Sequence, residues 1–146
     1  MVRDKLHCGE LIKRLNDILG TCANKELKSD DMTASQIKML IIISETKNES
    51  ITLKELEKHF GVSQATVAGI VARLEKKAMI ESFYAPDDKR VKHVKLTDKG
   101  RGVCKHAWAN MVKNEEWFLS SLDDDEKEEL WRLLQKIYDN MRRNEV

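Results

Sequence analysis

The sequence predicts a mainly α fold in which a compact helix-turn-helix and a small β-hairpin are flanked at both ends by longer amphipathic helices. Three observations predict it. Apolar residues recur three and four apart over most of the chain, the period of helices buried on one face. One proline and six glycines occur in 146 residues, so few positions can break a helix. Around residues 80–96 the period shortens, and β-branched and aromatic residues flank a Pro-Asp-Asp turn, as in a hairpin.

Each element has its own signal. Leu11, Ile12, Leu15, Ile18 and Leu19 share a helical face with Lys13, Arg14 and Asp17 between them, predicting a first helix that ends near Gly20. The polar stretch from Asn24 to Asp31 reads as a loop or frayed turn. Thr33-Ala34-Ser35-Gln36 has capping-box form, in which the Thr hydroxyl accepts a backbone N–H and the Gln reaches back to the Thr backbone. A helix therefore starts there and runs to about Glu45, burying Ile37, Leu40 and Ile41, with Ile43 at the margin. Thr52-Leu53-Lys54-Glu55 repeats the signal for a short helix to His59 or Phe60, stopped by Gly61. Ser63 caps the next helix, which buries Val67, Ile70, Val71 and Leu74.

Ile80 to Tyr84 and Val91 to Leu96 are the two strands, joined through Ala85-Pro86-Asp87-Asp88-Lys89-Arg90. Thr97 and Gly100 open a long helix carrying Val103, Ala107, Trp108, Met111, Val112 and Phe118. Ser121 followed by Asp123, Asp124, Asp125 and Glu126 marks a last start, because carboxylates are favoured at the positive end of the helix dipole. Leu130, Leu133, Leu134, Ile137 and Met141 line its apolar face. There is no internal repeat.

Composition excludes several classes. With 41% hydrophobic residues the chain can build a core, which a disordered tail cannot. The net charge of +1 argues against a protein that coats nucleic acid uniformly. Met39–Ile43 is the longest apolar run, and a membrane span needs about 20 residues. Met1-Val2-Arg3-Asp4-Lys5 leads into a charged amphipathic stretch and does not read as a signal peptide. Cys8, Cys22 and Cys104 are odd in number and irregular in spacing, so no disulfide framework is expected. A cytoplasmic location without a membrane partner follows. No nucleophile with a base, paired catalytic acids or Gly-rich phosphate loop points to an enzyme, and neither a catalytic residue nor a cofactor is expected.

The order helix, short helix, Gly-containing turn, helix, hairpin is that of a winged helix-turn-helix. The turn Gly61-Val62-Ser63 lets the two helices cross, so the second can enter a major groove. Its outer face is Gln64, Ala65, Ala68 and Gly69, with Thr66 at the edge. Ser63, Thr66 and the helix N-terminus can donate to phosphates, and Arg73 lies two turns on. From Lys89 to Arg101 there are six basic residues, Lys89, Arg90 and Lys92 among them, against one acid, Asp98. Beside a helix-turn-helix this suits an arm tracking phosphates or a minor groove. The bland alternative is a small helical domain with a solvated, charged hairpin. Charge along the chain favours the first reading: residues 51–101 hold 11 basic and 7 acidic groups, whereas residues 102–146 hold 7 and 10.

Asp88, Arg90, Leu96, Thr97 and Gly100 form the pattern Asp-x-Arg followed, after five residues, by Leu-Thr-x-x-Gly. With the stretch SQATVAGIVARLEKKAMI from Ser63 to Ile80, they make the whole chain resemble the MarR-type (multiple antibiotic resistance regulator) winged-helix transcription factors. The resemblance implies that Arg90 enters the minor groove and that Asp88 holds it in position. It implies a homodimer formed by the first helix and the last two, with Leu11, Leu15, Ile18, Leu130, Leu134, Ile137 and Met141 at the interface. The chain would then divide into dimerisation segments at 1–32 and 101–146 and a DNA-binding domain at 33–100. The implied activity is repression at a near-palindromic operator, relieved by a small lipophilic or phenolic effector. Trp108, Trp117, Trp131 and Tyr138 are candidate pocket aromatics, although core or dimer packing is the plainer use of each.

Two departures from the family pattern matter. Ala78 stands where glycine is usual, and a left-handed alanine costs roughly 1 kcal/mol, so the sequence leaves open whether the helix ends in this form or another. Ala68 and Gly69 replace larger polar residues, which shifts recognition from base edges towards DNA shape, with Ala65 or Ala68 available to a thymine methyl. Some relatives sense peroxide through a first-helix cysteine, but no tyrosine accompanies Cys8 or Cys22, and a buried inert thiol is expected. His7, Cys8, His93, Cys104 and His106 lack metal-ligand spacing, so no metal is expected. The alternative function is a winged-helix dimerisation or protein-docking module that does not bind DNA.

Overall fold

The computed structural model describes residues 7–144; the Met1–Lys5 segment discussed above lies outside them. The elements run α1 (Cys8–Ser29), α2 (Ala34–Ser44), a short 3-10 turn (Lys47–Glu49), β1 (Ser50–Thr52), α3 (Leu53–Phe60), α4 (Gln64–Lys76), β2 (Ile80–Tyr84), β3 (Lys92–Leu96), α5 (Asp98–Phe118) and α6 (Asp124–Arg143). They group into two compact units, one through Ala109 and the other from Asn110.

The helix starts are local and follow the sequence. Thr33 and Thr52 each close a capping box, with Gln36 and Glu55 as the reciprocating side chains. The Ser63 hydroxyl accepts from the Thr66 amide at the head of α4. Asp123, rather than Ser121, caps α6, and Glu126 completes a third box. Gly61 ends α3 with φ 60°, the left-handed conformation that glycine adopts without a Cβ penalty.

The core of the first unit lies between α2, α3, α4 and the sheet. Leu40 and Ile43 meet Leu56, Val67, Val71 and Leu74, and the sheet contributes Ile51, Ile80, Val94 and Leu96. All four residues expected on the inner face of α4 are buried. Ile37 and Ile41 are only partly buried, because α2 turns Gln36 and Met39 inward with Leu40 and Ile43.

Two expectations are corrected, and one point the sequence left open is resolved. First, α1 does not end near Gly20 but continues to Ser29, so the 24–29 stretch is helix. A helical glycine costs only about 1 kcal/mol, and Cys22, Ala23 and Leu27 carry on the partly buried face begun by Leu19. Leu27 packs against the core and anchors the extra turns. Second, the β structure is a three-stranded antiparallel sheet in the order β1-β3-β2, not a lone hairpin. Ser50-Ile51-Thr52 is too short to show a period, and its pairing is non-local, Ile51 opposite Val94. Third, Ala78 does take the left-handed exit, at φ 58°. The Met79 amide donates to the Leu74 carbonyl and the Ala78 amide to the Glu75 carbonyl, the two bonds of a Schellman motif.

The same region explains the Leu-Thr-x-x-Gly spacing. The Thr97 hydroxyl donates to the Ala78 carbonyl at 2.6 Å and accepts from the Gly100 amide at 3.1 Å, so it caps α5 while gripping the end of α4. The Thr97 amide donates to the Met79 carbonyl. Gly100 is buried against that carbonyl, and a Cβ there would collide with its oxygen. Leu96 is the buried end of β3.

Candidate nucleic-acid interface

The exposed end of α4 presents Ser63, Gln64, Ala65, Thr66 and Ala68 to solvent, with Arg73 exposed further along. Gly69 is half-buried, so it contributes less to the outer face than expected. The Ser63 and Thr66 hydroxyls share a hydrogen bond of 2.8 Å. Ser63, Ala65, Thr66 and Ala68 are short side chains, which favours a close backbone approach.

The wing tip is ordered by Asp88. Its amide donates to the Ala85 carbonyl, and its own carbonyl accepts from the Val91 amide. Its Oδ1 accepts from both the Arg90 amide, at 3.0 Å, and Arg90 Nε, at 3.1 Å. The Arg90 side chain remains 91% exposed. Among the described residues the guanidinium is held through Nε, with no hydrogen bond from either Nη. Lys89 is also exposed.

Between the wing and α3 runs a groove lined by Lys54, Lys58, Gln64, Arg90 and Lys92, with Glu55 and Glu57 on the same wall. Lys54 and Lys58 escaped the sequence reading; their i, i+4 spacing on the first helix of a helix-turn-helix was the available signal, since that helix crosses the DNA backbone in such motifs. The hairpin's basic excess is less free than its count suggests. Lys92 lies 3.8 Å from Glu75, Lys95 lies 3.8 Å from Glu81 and Arg101 bonds Glu49 at 2.8 Å as well as Asp98.

The MarR family profile matches residues 32–92. The multiple antibiotic resistance protein MarR of Escherichia coli strain K12 is 32% identical over 131 residues, spanning 88% of this chain and 89% of that protein. The chain belongs to the MarR family. A mutant Escherichia coli MarR crystallised with operator DNA superposes with a TM-score of 0.68 at 31% identity, covering 88% of this chain and 91% of that one. The transcriptional repressor MprA of Escherichia coli strain K12 is 28% identical over 114 residues, 78% of this chain; the match spans 65% of MprA's own length. Another relative, the HTH-type transcriptional regulator BilQ of Clostridioides difficile strain CD3, is 30% identical over 121 residues, 79% of this chain and 76% of that protein.

The other expected MarR sites are placed as follows. Trp108, in the first unit, is exposed, as are Trp117, Trp131 and Tyr138 in the second. Trp131 borders a concavity whose other walls are Asp125, Glu128, Glu129 and Arg132, a charged rather than lipophilic lining. Leu11, Leu15 and Ile18 on α1 are exposed in the single chain, as are Leu134, Ile137 and Met141 on α6; Leu130 is half-buried. Cys8 is exposed, which corrects the expectation of a buried thiol, because it opens α1 on a turn with no buried residue. Cys104 is the buried cysteine, and burial pushes its thiol up, partly offset by a hydrogen bond with Ser44. Among the described residues no three His, Cys, Asp or Glu side chains are grouped to hold a metal. No helix of the described residues is long and apolar enough to cross a membrane.

Proposed function

We propose that the chain is a homodimeric repressor that binds a near-palindromic operator and is released by a small lipophilic or phenolic effector. The observation that carries this reading is the wing tip, where Asp88 fixes Arg90 through two bonds to one oxygen yet leaves the guanidinium exposed. A guanidinium so held suits a narrow minor groove, where the negative potential is strongest. The exposed head of α4 would lie in the adjacent major groove, with Ser63, Gln64, Ala65, Thr66, Ala68 and Gly69 nearest the bases and Arg73, Lys89 and Lys92 near phosphates. The apolar stripes of α1 and α6 support a partner copy, with residues 1–32 and 101–146 for dimerisation and 33–100 for DNA. The cytoplasm is the compartment this reading requires.

Selection of bound fragments from a promoter pool tests it. The wild-type protein is expected to enrich a near-palindrome. Arg90→Ala is expected to lose about 1–3 kcal/mol of operator affinity and to lower the salt slope by about 1. A wild-type protein that enriches nothing, with binding insensitive to salt, would leave the protein-docking module instead.

A further inference from the structure

Lys77 sits at the end of the recognition helix, in a basic stretch where a phosphate contact would be the first expectation. Its ammonium points elsewhere. Nζ donates to the Asp31 carbonyl and, at 3.1 Å, to Gln36 Oε1, and lies 3.8 Å from Met32 Sδ and 4.0 Å from Asp31 Oδ2. Its side chain is 29% exposed. Meanwhile the Lys77 carbonyl accepts from Lys99 Nζ at 2.8 Å. Gln36 is a buried polar residue, and the oxygen that receives Lys77 also closes the capping box at the start of α2.

The two helix ends joined by this side chain are built alike. At the end of α1 the Met32 amide donates to Leu27 and the Asp31 amide to Lys28, with Asp31 at φ 54°. At the end of α4 the Met79 amide donates to Leu74 and the Ala78 amide to Glu75, with Ala78 at φ 58°. Both are Schellman turns with a non-glycine residue in the left-handed position, a strained conformation that needs surrounding contacts to hold it. Lys77, next to one, bonds the backbone of the other.

We propose that Lys77 is a positioning residue: it locks the C-terminal end of the recognition helix to the end of the first helix and so fixes the angle at which α4 meets DNA. It acts through Asp31 and Gln36 and touches no phosphate. This rests on the operator-binding reading above.

The test combines binding and exchange on the full chain. Lys77→Met keeps the aliphatic stem and removes the ammonium. It is expected to weaken operator binding about tenfold while the salt slope stays at the wild-type value. Gln36→Met, which leaves Lys77 in place, is expected to act in the same direction. The double variant is expected to lose less than the sum of the two singles, because Gln36→Met removes one of the two oxygens that receive Lys77. Should Lys77→Met not fold, Gln36→Met carries the comparison alone.

A slope lowered by about 1 would show a phosphate contact and overturn the proposal. Unchanged affinity, or losses that add in the double variant, would overturn it too. Amide hydrogen exchange provides a readout independent of DNA: protection at Asp31 and Met32 and at Ala78 and Met79 is expected to fall together in Lys77→Met. If it does not, there is no lock. If wild-type protein binds no DNA yet protection falls at both turns, the operator reading fails and the lock stands.

Discussion

At the scale of single residues, the chain places few groups where their chemistry is decisive. Gly100 is one, because the backbone oxygen of Met79 occupies the space a side chain would take. Neither that carbonyl nor the amide it accepts, that of Thr97, can retreat without loosening the joint between α4 and α5. Gly100→Ala is therefore expected to cost about 3 kcal/mol, read as a lower urea midpoint at unchanged m-value. Cys104 is a second. Burial favours its neutral thiol, so the unfolded chain loses that proton first, from about pH 8.5. The thiol's contribution to stability is present below that pH and declines as pH rises towards the folded value. Thiol labelling at pH 8 is accordingly expected to reach Cys104 only as fast as the fold opens, and loss of stability above about pH 8.5 is expected to shrink in Cys104→Ala. Arg90 differs from both: its side chain is exposed, and in the reading proposed above it meets DNA and not the core.

At the scale of elements, the left-handed exit of α4 makes a sharp prediction. Ala78→Gly is expected to raise stability by about 1 kcal/mol without moving α4, measured by denaturant unfolding with the Schellman amides still protected from exchange. The same comparison shows what the sequence could reveal. Helix starts were legible because a cap and its reciprocating side chain lie within four residues, as at Thr33–Gln36 and Thr52–Glu55. The inner face of α4 was legible from its period. The third strand was not, because its only strong signal is a partner more than forty residues away, Val94. The end of α1 was misjudged because polar Asn24, Lys25 and Lys28 hid the spacing of Cys22, Ala23 and Leu27, and what holds those turns is the core contact of Leu27. At the candidate site the pairing of charges was not legible: Lys92 and Lys95 count as basic residues in the sequence and face Glu75 and Glu81 in the fold.

At the scale of the whole molecule, exposed apolar side chains mark what a single chain lacks. Ile18 on α1 and Ile137 and Met141 on α6 are at least half exposed, more than isolated surface hydrophobics explain. Light scattering is expected to give twice the 16.9 kDa chain mass at micromolar concentration, and Ile137→Glu is expected to lower it towards one chain. A wild-type mass of one chain would end the dimer reading. If the proposed dimer forms, its symmetry predicts operator half-sites about 10 bp apart, which the selected fragments would display. Ala78 also bears on how such a regulator can change over generations. Alanine and glycine codons differ at one base, so a single nucleotide change at position 78 would release about 1 kcal/mol of backbone strain, comparable with the cost of a typical destabilising substitution. The gene thus carries, one mutation away, a reserve that would let a new residue in the α4 face or the wing be tried without unfolding the protein that bears it.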